Sequence, residues 1–343
     1  MTDNKAKPRI LIDARKIFDG GIGVYLQNLL EACYRQNQLT LLVNPAQVPL
    51  IKQKDFNWLK DVSFFEDSAK VLSFDEYFNL AKRIPQQDFD LYHTPFITLP
   101  FGLKLPAVIT VHDLIQITHP EKFYYKTFAK FIMASSVRRA KRVLTVSQTS
   151  ADLLKKYFTV DSKLQVVRNA TQFSDAKGDK IDKYGNYLLA IFSNLKPHKG
   201  LDDLIRAFAE LKNEASSALP PDLKLLLVGS GFQATESFAV GDDVVVLGAV
   251  SDQELGDLYA SANALLVSSY VEGFCLPVLE AHAQGTAVIA RPEPAVKELL
   301  TEYDYLAKDF TLPAYQAAIK EFYQINRQFD FPELIQTLDD FKI

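Results

Sequence analysis

Two successive series of short apolar runs, with helical periodicity between many of them, constrain this chain more than any other feature. The first series reads Arg9–Asp13, Leu39–Val43, Asp90–His93, Ala107–Val111, Arg142–Val146 and Leu164–Val167. Short continuous apolar runs are what strands need when helices cover both faces of a parallel sheet. Among them, Gly23–Arg35, Lys122–Ala140 and Thr149–Phe158 carry apolar residues at helical spacing. The second series is Tyr187–Phe192, Leu223–Val228, Val244–Leu247, Ala264–Val267 and Ala287–Ala290, with helical patterns over Leu201–Leu211, Asp252–Ala262 and Pro277–Gln284. Ser251 followed by Glu254 is a capping box at the second of these helices. The alternation predicts an α/β chain of two doubly wound parallel sheets.

The polar, glycine-bearing stretch Asp175–Tyr184 interrupts the alternation and is the natural linker. The expected layout is one Rossmann-like domain at 1–172, a linker at 173–186, a second Rossmann-like domain at 187–328 and a closing helix at 329–343. That helix carries Leu334, Ile335, Leu338 and Phe341 on one face. With 343 residues, 48% of them hydrophobic, both domains have material for a core. Ligands bind at the carboxyl ends of strands in such sheets, which predicts ligand loops from both domains across a cleft.

Other classes are disfavoured. No run of 18 or more apolar residues occurs, and Met1–Pro8 is polar where a secretory signal needs an apolar segment, so a cytoplasmic location is expected. Cys33 and Cys275 are far apart and five histidines are scattered, a pattern that suggests neither a disulfide framework nor a metal site. The net charge of −4 hides an asymmetry: residues 1–170 carry 24 − 16 = +8, and residues 171–343 carry 14 − 26 = −12. A basic first half suits an anionic partner such as a phosphate-bearing acceptor or a lipid headgroup surface, but the whole molecule lacks the excess for nucleic-acid binding.

Several loops at predicted strand ends carry groups suited to a nucleotide diphosphate and a sugar. Glu272-Gly273-Phe274-Cys275-Leu276-Pro277-Val278-Leu279-Glu280 sets two carboxylates around a turn and a helix start, with Pro277 at the first helical position and Glu280 in the first turn. Gly273 lets backbone approach a ligand, and the N–H groups of a helix start favour an anion. The turn Asp19-Gly20-Gly21-Ile22-Gly23-Val24-Tyr25 opens a helix after the first strand, although glycine also serves tight turns that bind nothing. In Asn194-Leu195-Lys196-Pro197-His198-Lys199-Gly200, Lys199 sits near a helix N-terminus, where a cation is favourable only beside an anion. His112, at the end of a strand with Asp113, can act as a base, donate to a sugar hydroxyl or pack as a satisfied core residue. Gly248-Ala249-Val250-Ser251 offers backbone groups that suit a nucleobase, or is a plain strand-to-helix turn.

Taken in order, these segments closely resemble the family-four retaining glycosyltransferases of the GT-B fold, enzymes with an E-x7-E motif. The resemblance runs from Ile12-Asp13-Ala14-Arg15 and Gly21-Ile22-Gly23-Val24-Tyr25, through Thr110-Val111-His112-Asp113 and Val143-Leu144-Thr145-Val146-Ser147, to the Asn194–Gly200 loop, Leu258-Tyr259 and Glu272–Ala281. It implies that Glu272 contacts donor-sugar hydroxyls, Glu280 holds the ribose, and the amides of Phe274, Cys275 and Leu276, after Gly273, meet sugar or phosphate. It further implies that Lys199 stabilises the diphosphate, Gly21 and Gly23 approach it, His112 lies near the sugar and Val250 presents backbone to the base. No metal or other cofactor is expected, and the anomeric configuration is retained by a front-face route. The implied reaction moves a hexose or deoxyhexose of the mannose, rhamnose or glucose class to a glycan, lipid-linked or small-molecule acceptor. Two other outcomes stay open: a catalytically weak binding or scaffold subunit, and a sugar-nucleotide epimerase.

Four departures from the family pattern matter. Asn194 stands where an arginine is common, leaving Lys196 or His198 to supply the second cation. Cys275 replaces a common glycine and adds a side chain where backbone normally meets the sugar. Asn169-Ala170 replaces Asn-Gly, and Leu300–Asp309 lacks a frequent glycine turn. Finally, the aromatic and basic stretch Lys122–Arg142 is compatible with peripheral contact at the inner face of a membrane, and also with a core helix that has a solvated basic end.

Overall fold

The structure, a computed structural model, describes residues 6–120, 123–171, 173, 178–214, 219–230, 232 and 242–326. The helix expected at Phe331–Phe341 lies outside the described residues. The chain divides into two compact units, Met1–Ala170 and Thr171–Ile343.

In the first unit seven strands form one sheet: β1 (Arg9–Asp13), β2 (Gln38–Val43), β3 (Val62–Glu66), β4 (Leu91–Thr94), β5 (Ala107–Val111), β6 (Arg142–Thr145) and β7 (Leu164–Val166). Their order is β3-β2-β1-β4-β5-β6-β7, and all pairings are parallel. Apolar side chains fill both faces. Leu11, Tyr92, Ile109 and Val143 belong to one core cluster, while Ile12, Leu39, Leu41 and Trp58 belong to the other. The order reverses between β1 and β4, so the loops leaving these two strands diverge and leave a crevice, the usual ligand position in an open α/β sheet.

The second unit repeats the plan with β8 (Tyr187–Ile191), β9 (Lys224–Val228), β10 (Val244–Gly248), β11 (Ala264–Val267), β12 (Val288–Ala290) and β13 (Tyr305–Leu306). The order β10-β9-β8-β11-β12-β13 is again parallel throughout, with its reversal between β8 and β11. The helix Leu201–Asn213 packs Leu204, Phe208 and Leu211 into the cluster on one face, and Leu258, Val278 and Ala281 fill the other. Among the described residues no helix is long and apolar enough to cross a membrane.

The sequence reading missed β3 and β13, which are both edge strands. An edge strand has one neighbour and less cover, so it is short or mixed in polarity, as in Val-Ser-Phe-Phe-Glu and the two-residue β13. The helix Leu312–Asn326 was also unread, although its buried Tyr315, Ala318, Ile319, Phe322 and Tyr323 follow helical spacing. The first helix starts at Gly20 rather than Gly23, because the low helix propensity of Gly-Gly-Ile-Gly conceals its first turn. The described part of the expected linker is held against the second unit. Gly178, Asp179 and Ile181 donate backbone N–H bonds to Gln284 Oε1, Asp257 Oδ1 and Ser261 Oγ at 2.7, 2.8 and 2.7 Å.

Candidate active site

In the second unit the two strands that flank the reversal each send a functional loop to the same place. The loop after β8 carries Asn194 to Gly200, and the loop after β11 carries Ser268 to Cys275. Pro197–Lys199 forms a 3₁₀ turn, Gly200 adopts a left-handed conformation (φ 69°, ψ 29°), and the helix Leu201–Asn213 begins. A Cβ on Gly200 would lie 2.4 Å from the Ser268 carbonyl oxygen, so glycine is required for the loops to approach this closely. Ser268 Oγ donates to the Lys199 carbonyl at 2.8 Å, and the Tyr270 N–H donates to the His198 carbonyl at 2.8 Å.

This stitching brings Lys199 onto Glu272. The ammonium nitrogen lies 2.7 and 2.9 Å from the two carboxylate oxygens, and both side chains are mostly shielded, at 16% and 10% exposure. The expected neutralising partner of this lysine near a helix N-terminus is an anionic ligand; in the structure a carboxylate of the protein itself, Glu272, pairs with it.

Behind the pair stands a fully buried arginine that the sequence reading passed over. Arg291, just after β12, donates from Nη2 to Asp203 Oδ2 at 2.8 Å and from Nη1 to the Ser268 carbonyl at 3.1 Å. Its guanidinium covers the Tyr270 ring at 4.2 Å, and the Tyr270 hydroxyl also donates to Asp203. Asp203 belongs to the helix that follows Lys199, and Tyr270 lies two residues before Glu272, so Arg291 ties both loops together. Glu293 adds a further support. Its buried carboxylate accepts from Val296 N at 2.9 Å and from the Glu272 backbone N–H, and burial pushes it up to about 7. A buried charged residue in a loop is hard to separate by sequence from a solvated one, which is why neither stood out.

The helix that follows is Leu276–Ala283, starting one residue before the expected Pro277. Glu280 therefore falls in its second turn rather than its first. It is buried, accepts the Tyr259 hydroxyl at 2.7 Å, and is raised by burial. Cys275 caps the helix in the left-handed region (φ 75°, ψ 69°), a backbone that explains why glycine suits this position. Its thiol belongs to the apolar cluster with Val278 and Ala281, and burial pushes it well above its ordinary value, so the group is a protonated, packed side chain. Phe274 and Leu276 are buried beside it, and Gly273 is partly buried. Asn194 is partly buried and accepts the Lys196 N–H at 3.2 Å, while Lys196 itself is exposed and His198 is partly buried. Val250 packs against the same cluster as Cys275, and Ser251 caps the next helix by accepting Glu254 N at 3.2 Å.

In the first unit, Gly21 and Gly23 lie within the first turn of the helix Gly20–Cys33. A Cβ on Gly23 would meet the Ile17 carbonyl oxygen at 2.6 Å, so close packing onto the preceding loop already requires that glycine. His112 follows β5 and packs edge-on to Tyr25, with centroids 4.8 Å apart. Tyr25 and His93 both bond to Thr110 Oγ1 at 2.9 Å. Burial pushes His112 down to about 4, assisted by His93, so the ring is neutral at pH 7. Its Nε2 is buried without a hydrogen-bond partner among the described residues.

Two family descriptions divide the chain between them. "Glycosyltransferase Family 4" matches residues 19–173 and "Glycosyl transferases group 1" matches residues 174–330. The chain belongs to the family-four GT-B glycosyltransferases. Among the relatives of this GT-B chain is the O-antigen chain mannosyltransferase RfbU of Salmonella typhimurium, 34% identical over 221 residues that cover 63% of this chain and 61% of the relative. The O-antigen chain mannosyltransferase B of Escherichia coli is 27% identical over 256 residues, covering 67% and 64%. The GT-B chain thus spans somewhat under two thirds of the length of these curated relatives. Anabaena Alr3699/HepE, solved with UDP-glucose, matches with a TM-score of 0.66 at 18% identity over 97% of this chain and 98% of that one. WaaG, a glycosyltransferase involved in lipopolysaccharide biosynthesis, matches with a TM-score of 0.69 at 13% identity, covering 97% and 95%. At such identities the likeness is one of fold.

Proposed function

We propose that this chain transfers a hexose or deoxyhexose from a nucleotide-diphosphate sugar to a glycan, lipid-linked or small-molecule acceptor, with retention at the anomeric carbon. The observation that carries the reading is the Lys199–Glu272 pair, delivered by the two strands that flank the sheet reversal. A cation and a carboxylate at one strand-end crevice fit a ligand with an anionic diphosphate and a hydroxyl-bearing sugar. Mannose is favoured within the hexose class, since RfbU and the Escherichia coli relative are named as mannosyltransferases.

On this reading the acceptor oxygen bonds to the anomeric carbon as the bond from that carbon to the diphosphate oxygen breaks, and the acceptor proton passes to the departing phosphate. Lys199 meets the growing negative charge, which is greater in the transition state than in the bound donor. Glu272 holds Lys199 in place and accepts from sugar hydroxyls, Glu280 accepts from the ribose, and the Phe274, Cys275 and Leu276 amides face the sugar phosphate. His112 is neutral, and with its other ring nitrogen donating to the Pro95 carbonyl its Nε2 accepts from a sugar hydroxyl. The reading uses no metal, so excess EDTA should leave the rate unchanged.

The test is transfer from a panel of nucleotide sugars, with NMR of the product's anomeric signal. Retained configuration and at least a hundredfold loss in Lys199→Ala are expected; a donor that is turned over equally well by Lys199→Ala would sink the reading. Conversion of the nucleotide sugar without an acceptor would point instead to epimerisation.

A further inference from the structure

We propose that Glu293 is a positioning residue of the donor site: its buried carboxylate holds the main chain of Glu272, and it takes up a proton from solvent as the nucleotide-diphosphate sugar binds. This role rests on the donor reading given above. Glu293 stands three residues after β12 and is 3% exposed. Its own N–H donates to the Arg291 carbonyl at 2.8 Å, and the Arg291 N–H donates to the Val267 carbonyl at 3.0 Å, so the segment is anchored on β11 before it reaches the site. From there the carboxylate caps the short helix Pro294–Lys297, accepting from Val296 N at 2.9 Å and from Ala295 N, and it also accepts the Glu272 N–H.

A cap alone does not call for this residue. Ser, Thr, Asp and Asn cap with a shorter side chain. The extra methylene of Glu293 lets one carboxylate serve its own helix and the neighbouring loop after β11 together. The Glu272 main chain is thereby held from one side, while the Glu272 carboxylate lies on Lys199 at 2.7 and 2.9 Å on the other. Loss of the Glu293 carboxylate takes this acceptor from the Glu272 N–H and acts on Lys199 through Glu272.

Charge makes the same residue responsive to an anion. Around it stand the Glu272 carboxylate and the Cys275 thiol from the loop after β11, Lys199 from the loop after β8, Arg291 from its own loop and exposed Lys297 from the helix it caps. Lys199 pairs with Glu272 and Arg291 with Asp203, and burial keeps the Cys275 thiol protonated. Burial raises Glu293, and the Glu272 charge adds to that, so it reaches about 7 in spite of its backbone bonds. A diphosphate brought to Lys199 adds negative charge beside Glu293 and favours its acid form. By linkage the donor Kd is constant below about pH 7, rises as pH climbs through that value, and levels off once the bound protein has also lost the proton.

The experiment is calorimetric titration of the full chain with GDP-mannose, UDP-glucose, dTDP-rhamnose and ADP-glucose in turn, from about pH 6 to about pH 8.5, in two buffers of different ionisation enthalpy. These donors suit the test because their diphosphate is a diester and loses no proton in that range. Net proton uptake is expected above neutral pH for the donor that binds, with a Kd about three- to tenfold larger at the alkaline end than at the acid end. Glu293→Gln mimics the acid form and should show a flat Kd without uptake. Glu293→Asp still caps its helix but falls short of the Glu272 N–H, so it should weaken the donor about fivefold at pH 6 with a thermal midpoint near that of the parent. A flat Kd in the parent, a pH dependence that persists in Glu293→Gln, or an unchanged Kd in Glu293→Asp overturns the proposal. The parent's proton uptake needs no variant, so it decides the matter even where Glu293→Gln fails to fold. His198, in the same turn as Lys199, is another group whose protonation would favour an anion, and a dependence removed by His198→Gln but not by Glu293→Gln also overturns it. Binding of none of the four donors would instead sink the donor reading, and this role with it.

Discussion

Gly200 gives the sharpest handle on how the two loops are held together. It adopts φ 69° and stands between Lys199 and the helix Leu201–Asn213. A Cβ there would lie 2.4 Å from the Ser268 carbonyl oxygen, where ordinary contact begins at 3.4 Å, so the loops would have to part by 3.4 − 2.4 = 1.0 Å. Gly185 is the matched control: its φ is 66°, yet nothing lies within 4 Å of the Cβ position. Gly185→Ala should therefore cost only the left-handed backbone term, about 1–2 kcal/mol. Gly200→Ala should cost that plus an overpacking term, in total about 2–5 kcal/mol. A displacement of this size between Lys199 and Glu272 should also lower transfer roughly a hundredfold, whereas Gly185→Ala should leave the rate near that of the parent. Urea unfolding and initial transfer rates, measured side by side, decide the matter. Equal stability and equal activity of the two alanine variants would refute the close approach of the loops.

Three further perturbations follow from the same geometry. Arg291→Lys keeps a charge for Asp203 but loses the bond to the Ser268 carbonyl and the flat stacking on Tyr270, so it should destabilise by about 1–3 kcal/mol and raise the donor KM; parent-like values of both would contradict the clamp. Burial pushes His93 and His112 each down to about 4, below the unfolded value near 6.5, so their neutral burial should cost stability as pH falls from about 6.5 towards 4, by up to about 3 kcal/mol each. His93→Gln/His112→Gln should flatten the urea midpoint over that window, and an unchanged slope would count against neutral burial. Glu293 has the opposite sign: its folded value of about 7 lies above the unfolded one, so its contribution is present at pH below about 4.5 and lost as pH rises through 7, a trend that Glu293→Gln should remove from the unfolding profile.

The parallel sheets were legible because their central strands are buried on both faces and read as unbroken apolar runs; Arg9–Asp13, Ala107–Val111 and Ala264–Val267 coincide with the observed strands. What escaped were edge strands and elements whose burial depends on distant partners. The site divides the same way. Lys199 and Glu272 stood out because each sits in a loop between a strand and a helix, and topology alone joins them. Arg291, Asp203 and Tyr270 act through a contact between three segments, which no local pattern announces. Cys275 adds a side chain where the family resemblance places backbone against the sugar; that thiol packs with the apolar cluster, and the left-handed backbone of a non-glycine residue is the position's other unusual feature.

The central claim is that the second unit holds the donor through Lys199 and Glu272. Thermal stabilisation by UDP, GDP, dTDP and ADP, and then by their sugars, tests it most directly when the parent and Lys199→Ala are compared. One nucleotide series should stabilise the parent by about 2.7 kcal/mol at a concentration near 100 times its Kd, and should lose most of that effect in Lys199→Ala. Stabilisation by none of the series, or the same stabilisation in both proteins, would contradict the claim.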